Sequence, residues 1–187
     1  MKKILIVGVM LTAIALVATG AALFGLAKSP TETQLSDDNT WALIVTGSVR
    51  DKVNLSLSDI LAMPQTTFYS DIYCVDYPQA PVLDGDWTGV RLGPILENAG
   101  ILPSAIKVAF YARDGYATDL TIDGAMAENV IVAYELDNNP LSALRLVVPG
   151  QWGYKWVNGL NLIRLFDSDF KGKWESMGYP DNAVISG

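Results

Sequence analysis

The chain has 187 residues, no histidine and one cysteine, and its formal net charge at pH 7 is −7. All 20 acidic residues lie after residue 28, whereas three of the 13 basic residues lie at or before it, so the remainder carries a formal charge of −10. This charge argues against nucleic acid as a partner, because phosphate binding needs a positive surface. The lack of histidine excludes histidine-ligated zinc or haem and every catalytic dyad that uses histidine. A single cysteine excludes an internal disulfide.

The N-terminal segment has the composition of a membrane anchor. Residues 4–27 are uncharged and follow two lysines, and they are long enough for one transmembrane helix across a hydrocarbon core of about 30 Å. The lysine bias places the rest of the chain outside the cytoplasm. We therefore expect residues 1–28 to anchor the protein in the cell membrane, with a cleaved signal peptide and a secreted domain as the alternative. Residues 29–40 are polar and acidic and predict a linker, and residues 41–187 are enough for one domain.

The first predicted elements of the domain are short. Alternating apolar residues predict a strand over residues 41–49 and a returning strand over residues 53–57. Ser58 is a predicted N-cap for a helix that continues to residue 63 and ends before a proline. These patterns predict a small sheet edge followed by one helical turn or two.

The cysteine lies at the end of the next predicted strand. Residues 66–75 alternate so that Cys74 shares a face with Phe68 and Ile72. The proline-containing stretch 76–86 predicts a loop directly after it. Residues 94–99 then predict a helix, with a glycine following its last residue.

The second half of the domain predicts strands joined by tight turns. Residues 106–112 and 116–122 flank Asp114-Gly115, which predicts a hairpin whose two central residues both have φ > 0. Three further strands are predicted at 130–136, 144–148 and 160–166, followed by an irregular tail over 174–187. Strands dominate and helices are short, so the predicted fold class is α+β, mainly β.

A series of short motifs occurs in one order along the predicted domain. The motifs are the strand Trp41-Ala-Leu-Ile-Val-Thr-Gly-Ser-Val49, the pair Cys74-Val75, Trp87-Thr-Gly-Val-Arg-Leu92, Asp114-Gly115-Tyr116, Ala133-Tyr134-Glu135, Pro140-Leu141, Leu144-Arg-Leu-Val-Val-Pro-Gly150 with Gly153-Tyr154-Lys155, and Trp174 with Gly178-Tyr179. Together they resemble the molybdopterin-binding domain of the sulfite oxidase family. The resemblance extends over nearly the whole predicted domain and implies a sulfite oxidase-like molybdopterin-binding fold.

The resemblance also implies a site. It assigns a molybdenum-molybdopterin cofactor to the domain and makes the thiolate of Cys74 a ligand of the metal, which suits a soft sulfur donor. It places Asp76 in the substrate cavity, where a carboxylate can move a proton. It assigns Arg145, Tyr154 and Lys155 to the cofactor, with the two cations at its phosphate.

The residues themselves leave other interpretations open. An isolated cysteine on an apolar strand face is often a small buried hydrophobic side chain, so Cys74 need not be reactive. Asp76 is also consistent with a solvated loop residue. Arg145 is consistent with the cover of a strand edge and Lys155 with a surface charge.

Two functions follow from these observations. The first is a membrane-anchored, extracytoplasmic molybdopterin-dependent oxidoreductase that carries out oxygen-atom transfer on a small-molecule substrate and exchanges electrons with a separate redox partner protein. The alternative is a cofactor-free binding or interaction module on the same fold. Cys74 favours the oxidoreductase, whereas the missing histidines and Asn158, where the family commonly has lysine, favour the module. A thiol that opens into a cavity shared with Arg145 or Lys155 would favour the oxidoreductase.

Overall fold

The computed structural model describes residues 43–185 of the chain. The strands are β1 (Leu43–Gly47), β2 (Val53–Leu55), β3 (Gln65–Ile72), β4 (Leu83–Arg91), β5 (Lys107–Ala112), β6 (Ala117–Thr121), β7 (Ile131–Leu136), β8 (Asn139–Val147) and β9 (Leu160–Phe166). The helices are α1 (Leu57–Leu61), α2 (Leu92–Ala99), α3 (Ile122–Ala125) and α4 (Lys173–Ser176), with a 3-10 turn at Gly153–Lys155. Strands are more numerous than helices and most of them are longer, so the prediction of a mainly β fold is confirmed.

The predicted membrane anchor, residues 1–28, and the predicted linker, residues 29–40, lie outside the described residues. Within residues 43–185, no helix is long and apolar enough to cross a membrane. The single N-terminal transmembrane helix therefore stays a prediction from the sequence.

The strands form two sheets. One has five strands in the order β2-β1-β9-β5-β6, and the other has four in the order β3-β4-β7-β8. All neighbours are antiparallel except β1 and β9, which run parallel with Val45 opposite Ile163. This pair brings together the first and the last strand, so the five-stranded sheet is complete only when β9 has paired with β1.

The hairpin of β5 and β6 is confirmed, but the geometry of its turn differs from the prediction. Only Gly115 has a positive φ, at 87°, and the Asp114 carboxylate accepts a hydrogen bond from the backbone of Tyr116 at 2.9 Å. The two-residue turn with both φ values positive occurs instead between β7 and β8, at Asp137 (50°) and Asn138 (59°). Aspartate and asparagine tolerate this conformation because their short polar side chains bond locally.

The prediction of a loop over residues 76–86 is wrong for its last part, because β4 begins at Leu83. Asp84 and Asp86 face solvent while Gly85 and Trp87 are buried, so the strand does alternate. Gly85 hides the pattern, because it has no side chain that would mark the buried face. A Cβ atom there would lie 2.7 Å from the Asp137 carboxylate.

The predicted N-cap of α1 is shifted by two residues. Ser56, not Ser58, caps the helix, because its hydroxyl accepts from the backbone of Asp59 and the Asp59 carboxylate accepts from the backbone of Ser56. This reciprocal capping box satisfies two free N–H groups at once. The end of α2 agrees with the prediction, since Gly100 follows it with a left-handed φ of 70°.

One buried cluster contains side chains from both sheets and from α2. The largest fully buried apolar side chains include Trp87 of β4 and Phe110 of β5. The Trp87 ring meets the Trp156 ring edge to face, with 5.8 Å between the ring centroids. This contact places the aromatic core directly behind the segment that follows β8.

Candidate functional site

Cys74 lies in a turn beyond the end of β3. The predicted continuation of this strand to residue 75 is wrong, because the ladder with β4 ends at the pair of Ile72 and Leu83. The Cys74 carbonyl accepts a hydrogen bond from the backbone of Tyr77 at 3.1 Å. The thiol is therefore half-buried at the end of the strand instead of being packed into its apolar face.

A close contact brings a second segment against the cysteine turn. The backbone N–H of Gly153 donates to the Tyr73 carbonyl at 2.8 Å. A Cβ atom on Gly153 would lie 2.9 Å from a methyl carbon of Ile72 and 3.0 Å from the Tyr73 carbonyl oxygen. Glycine is needed for this approach, which sets Tyr154 beside the turn.

These segments enclose a cavity of about 380 Å³, a volume within the range of about 300–1,000 Å³ that is usual for small-molecule sites. The cavity is lined by Ile72, Tyr73, Cys74, Val75, Asp76, Val82, Asp114, Tyr116, Arg145, Gly153, Tyr154, Trp156, Asn158 and Trp174. Four of the five residues that the sequence singles out therefore share one cavity. Lys155 is not among the lining residues.

Arg145 is the only lysine or arginine among the described residues that line the cavity. Its guanidinium carbon lies 5.5 Å from the centroid of the Trp87 ring, and its Nε is buried without a hydrogen-bond partner. Burial lowers the pKa of this guanidinium. A buried donor without a partner costs about 1–3 kcal/mol, so an anionic ligand in the cavity would gain from this group.

Lys155 is fully buried and its charge is already paired. Its Nζ lies 2.6 Å from a carboxylate oxygen of Glu175 and donates to the carbonyl of Asp119 at 2.8 Å. Further carboxylate oxygens, on Asp119 and Asp181, are each 3.6 Å away. The structure thus places this lysine behind the cavity wall and not at its surface.

Tyr154 contributes its ring to the cavity wall, while its hydroxyl points elsewhere and donates to the Pro180 carbonyl at 2.7 Å. Burial, followed by the charges of Glu175 and Asp181, raises the pKa of Tyr154 to about 12. The Tyr154 carbonyl accepts a hydrogen bond from the hydroxyl of Tyr116. These bonds fix the ring in place and leave no free donor on it for a ligand.

Asp76 is exposed at the cavity and meets the C-terminal part of the chain. Its carboxylate accepts a long hydrogen bond, 3.4 Å, from the hydroxyl of Tyr179. Desolvation, then the charges of Asp76 and Cys74, raise the pKa of the Tyr179 hydroxyl. The hydroxyl therefore stays protonated at neutral pH and can keep donating to the Asp76 carboxylate.

Ten of the fourteen lining residues did not appear among the sequence candidates, and three of these ten are Asp114, Asn158 and Trp174. Asn158 forms a backbone bridge with Arg145, so it lies beside the one cation that residues 43–185 contribute to the cavity lining. Each of the three belongs to, or closely follows, a motif quoted above, and that position was the available signal. Their place at one cavity depends on the pairing of β5 with β9, on the bridge between Arg145 and Asn158, and on the contact of α4 with β6. Single-sequence patterns reveal none of these contacts.

The comparison with protein-family models identifies the class. Residues 29–174 match the model of the oxidoreductase molybdopterin binding domain, and the chain belongs to this family. Among curated proteins, it is 34% identical over 148 residues to an uncharacterized oxidoreductase, YuiH, of Bacillus subtilis (strain 168), covering 76% of this chain and 74% of that protein. It is 29% identical over 182 residues to the protein-methionine-sulfoxide reductase catalytic subunit MsrP of Gluconobacter oxydans (strain 621H), covering 84% and 57%.

A solved structure supports the fold. The sulfane dehydrogenase SoxCD from Paracoccus pantotrophus matches with a TM-score of 0.65 and 21% sequence identity, over 70% of this chain and 39% of that chain. At this identity the likeness shows the fold alone. The predicted resemblance to the sulfite oxidase family is confirmed by these comparisons.

Proposed function

We propose that this protein is a membrane-anchored, extracytoplasmic oxidoreductase that binds a molybdenum-molybdopterin cofactor through Cys74. One observation supports the proposal above the others. The thiol of Cys74 opens into the cavity that also receives Arg145, whose buried Nε has no partner. A cofactor with a metal that binds thiolates and with an anionic phosphate matches these two groups together.

The donor set fits a metal that brings most of its own ligands. Within residues 43–185, no group of three or more cysteine, aspartate or glutamate side chains is arranged to hold a metal ion. A single thiolate is the contribution that a protein makes when the cofactor supplies the remaining ligands. When bound, such a cofactor supplies oxygen-atom and electron transfer.

The chain's own residues would act on three sides of the cofactor. Cys74 holds the metal as a thiolate, and coordination keeps that sulfur deprotonated. Arg145 would donate to the phosphate, while the rings of Tyr154 and Trp156 would form part of the cavity wall around the cofactor. Asp76 holds a proton acceptor at the cavity mouth, where the Tyr179 hydroxyl keeps its carboxylate in place.

Charge at the cavity favours a neutral small-molecule substrate. Asp76 and Asp114 both line it, and Arg145 is the one cation among the described lining residues. With that cation assigned to the cofactor, an anion such as sulfite would meet two carboxylates and no compensating charge. A neutral oxygen donor or acceptor avoids this repulsion.

The proposal includes a separate redox partner, because the sequence has one cysteine and no histidine and so lacks a Cys-x-x-Cys-His haem site. No lysine or arginine occurs between Lys52 and Arg91, whereas five aspartates do. This stretch includes the cysteine turn, so a partner with a basic surface suits the approach to the site.

The test is molybdenum content. The full chain is produced in a host that makes molybdopterin and in a matched host that does not, alongside Cys74→Ser. We expect stoichiometric molybdenum only in the parent from the first host. Parent protein without molybdenum would refute the cofactor and support the alternative, a cofactor-free binding module on the same fold. Equal molybdenum content in the parent and in Cys74→Ser would refute binding through Cys74.

A further inference from the structure

A buried charge cluster lies behind the cavity wall and takes no part in the proposed chemistry. It contains the lysines Lys107 and Lys155 and the carboxylates of Asp119, Glu175 and Asp181. Lys107 Nζ lies 2.5 Å from an Asp119 oxygen and 2.6 Å from an Asp181 oxygen. The Lys155 and Glu175 side chains are fully buried, and their charged atoms are 2.6 Å apart.

The cluster joins three parts of the chain that are distant in sequence. Asp119 belongs to β6, Lys155 to the 3-10 turn, and Glu175 to α4. The hydroxyl of Thr118 donates to the same Glu175 oxygen at 2.5 Å, and the Asp119 carboxylate accepts from the backbone of Gly172 at 3.1 Å. The charges therefore hold the start and the middle of α4 against β6.

Each partner of the central ion pair is next in sequence to a residue of the cavity wall. Tyr154 precedes Lys155 and Trp174 precedes Glu175, and both aromatic side chains line the cavity. The Tyr179 ring contacts both rings, with centroid distances of 5.8 Å to Tyr154 and 5.0 Å to Trp174. The ion pair and this aromatic group thus fix one wall as a unit.

We infer that Lys155 and Glu175 are positioning residues: their buried ion pair seats α4 and thereby holds Trp174 at the wall of the cavity that contains Cys74, with the Tyr179 ring packed against Trp174. Loss of the Glu175 charge leaves Lys155 with its nearest carboxylate oxygens 3.6 Å away, on Asp119 and Asp181. A buried ion pair weakened in this way relieves the imbalance by local opening or by admitting water. The opening would expose Cys74, because Trp174 lies on the wall of the same cavity. The role of this cavity wall in the reaction rests on the proposed function. The position of the wall is independent of that function.

Cys74 is the only cysteine in the chain, so its alkylation by iodoacetamide in cofactor-free full-length protein reports on the cavity alone. We expect Glu175→Gln to raise the rate by roughly three- to tenfold through local opening. Thr118→Val, which removes only the hydroxyl's bond to Glu175, should raise it less. Asp169→Asn is the matched control, because that carboxylate is exposed and 3.8 Å from Lys107 Nζ, and its rate should equal that of the parent.

Two further measurements separate positioning from general destabilisation. The increase in the alkylation rate should be insensitive to low urea concentrations. If Cys74 became exposed through global unfolding instead, the rate would rise with urea as steeply as unfolding does. Trp174→Ala should also raise the rate, and Glu175→Gln should add little to it, because both changes act on one wall. Three outcomes would each overturn the inference. The first is a parental alkylation rate in both Glu175→Gln and Thr118→Val. The others are strictly additive effects of Glu175→Gln and Trp174→Ala on that rate, or an alkylation rate that depends on urea as steeply as unfolding does. If Glu175→Gln does not fold, Thr118→Val decides the matter alone.

These outcomes are independent of the cofactor. The alkylation is measured without it, so a negative molybdenum result leaves the positioning role standing. Conversely, molybdenum binding with unchanged alkylation in all variants would support the proposed function and reject the positioning role.

Discussion

Replacing Arg145 with methionine is expected to weaken cofactor binding without weakening the fold. Methionine keeps an unbranched apolar side chain as far as the position of Nε but removes the rest of the guanidinium and its charge. The parent buries an Nε without a partner, and removing this donor relieves about 1–3 kcal/mol. The change also removes the interaction of the guanidinium with the Trp87 ring at 5.5 Å, which is worth about 0.5–2 kcal/mol.

These opposing effects nearly cancel in the cofactor-free protein, so its free energy of unfolding should stay within about 1–2 kcal/mol of the parent value. In cofactor binding, no gain offsets the loss of the guanidinium. A charge-assisted hydrogen bond to a phosphate contributes about 1.5–3 kcal/mol, so the affinity for the cofactor should fall roughly 10- to 150-fold.

The assay pairs urea unfolding of the cofactor-free protein with molybdenum content after expression in a molybdopterin-producing host. Arg164→Met is the matched control, since that arginine lies 4.9 Å from the Phe166 ring but is exposed and does not line the cavity. The control should keep its molybdenum. An Arg145→Met protein that retains parental molybdenum, or whose unfolding free energy drops by more than about 3 kcal/mol, would show that the orphaned Nε does not serve a ligand.

Three other changes test single features of the structure. Gly153→Ala, whose Cβ would lie 2.9 Å from Ile72, should lower the free energy of unfolding by about 1–3 kcal/mol. Gly93→Ala is the control, because its nearest contact would be at 3.6 Å, and it should cost less than that. Equal effects of the two changes in urea unfolding would argue against the close approach at Gly153. Ser56→Ala removes the cap of α1 and should cost about 1 kcal/mol in the same assay, and no loss would mean that the capping box does not form. Because the pKa of Tyr154 rises from 10.0 to about 12, stability from this group is fully present below pH 10 and lost as the pH rises to about 12. The loss is at most about 2–3 kcal/mol, since solvent near the partly exposed ring screens the effect. Tyr154→Phe should lack this part of the alkaline loss, and an unchanged pH profile of unfolding would contradict the shift.

The parts of the fold that depend on local chemistry were predictable, and those that depend on distant partners were not. The limits of β9 agree with the predicted strand over residues 160–166, because this mainly apolar run is bounded by Gly159 and Asp167. The sequence also places Cys74 and Arg145 at one site through their motifs. Lys155 illustrates the limit, since its partners Asp119 and Glu175 are 36 and 20 residues away along the chain, and nothing in a single sequence pairs them.

The pairing of Lys155 changes the expected balance of forces in the cavity. Sequence resemblance alone assigns two cations to the phosphate, but the structure leaves only Arg145 at the described cavity surface, beside the carboxylates of Asp76 and Asp114. Under the proposed function, electrostatic attraction of the phosphate would therefore be weak, and coordination by Cys74 would supply most of the binding free energy. Cys74→Ser should then lower molybdenum content more than Arg145→Met does, and the loss in Arg145→Met should depend little on ionic strength, because one buried contact is screened less than a charged surface. If Arg145→Met were the more damaging of the two, or if raised salt stripped molybdenum from the parent, the phosphate and not the thiolate would be the main anchor of the cofactor.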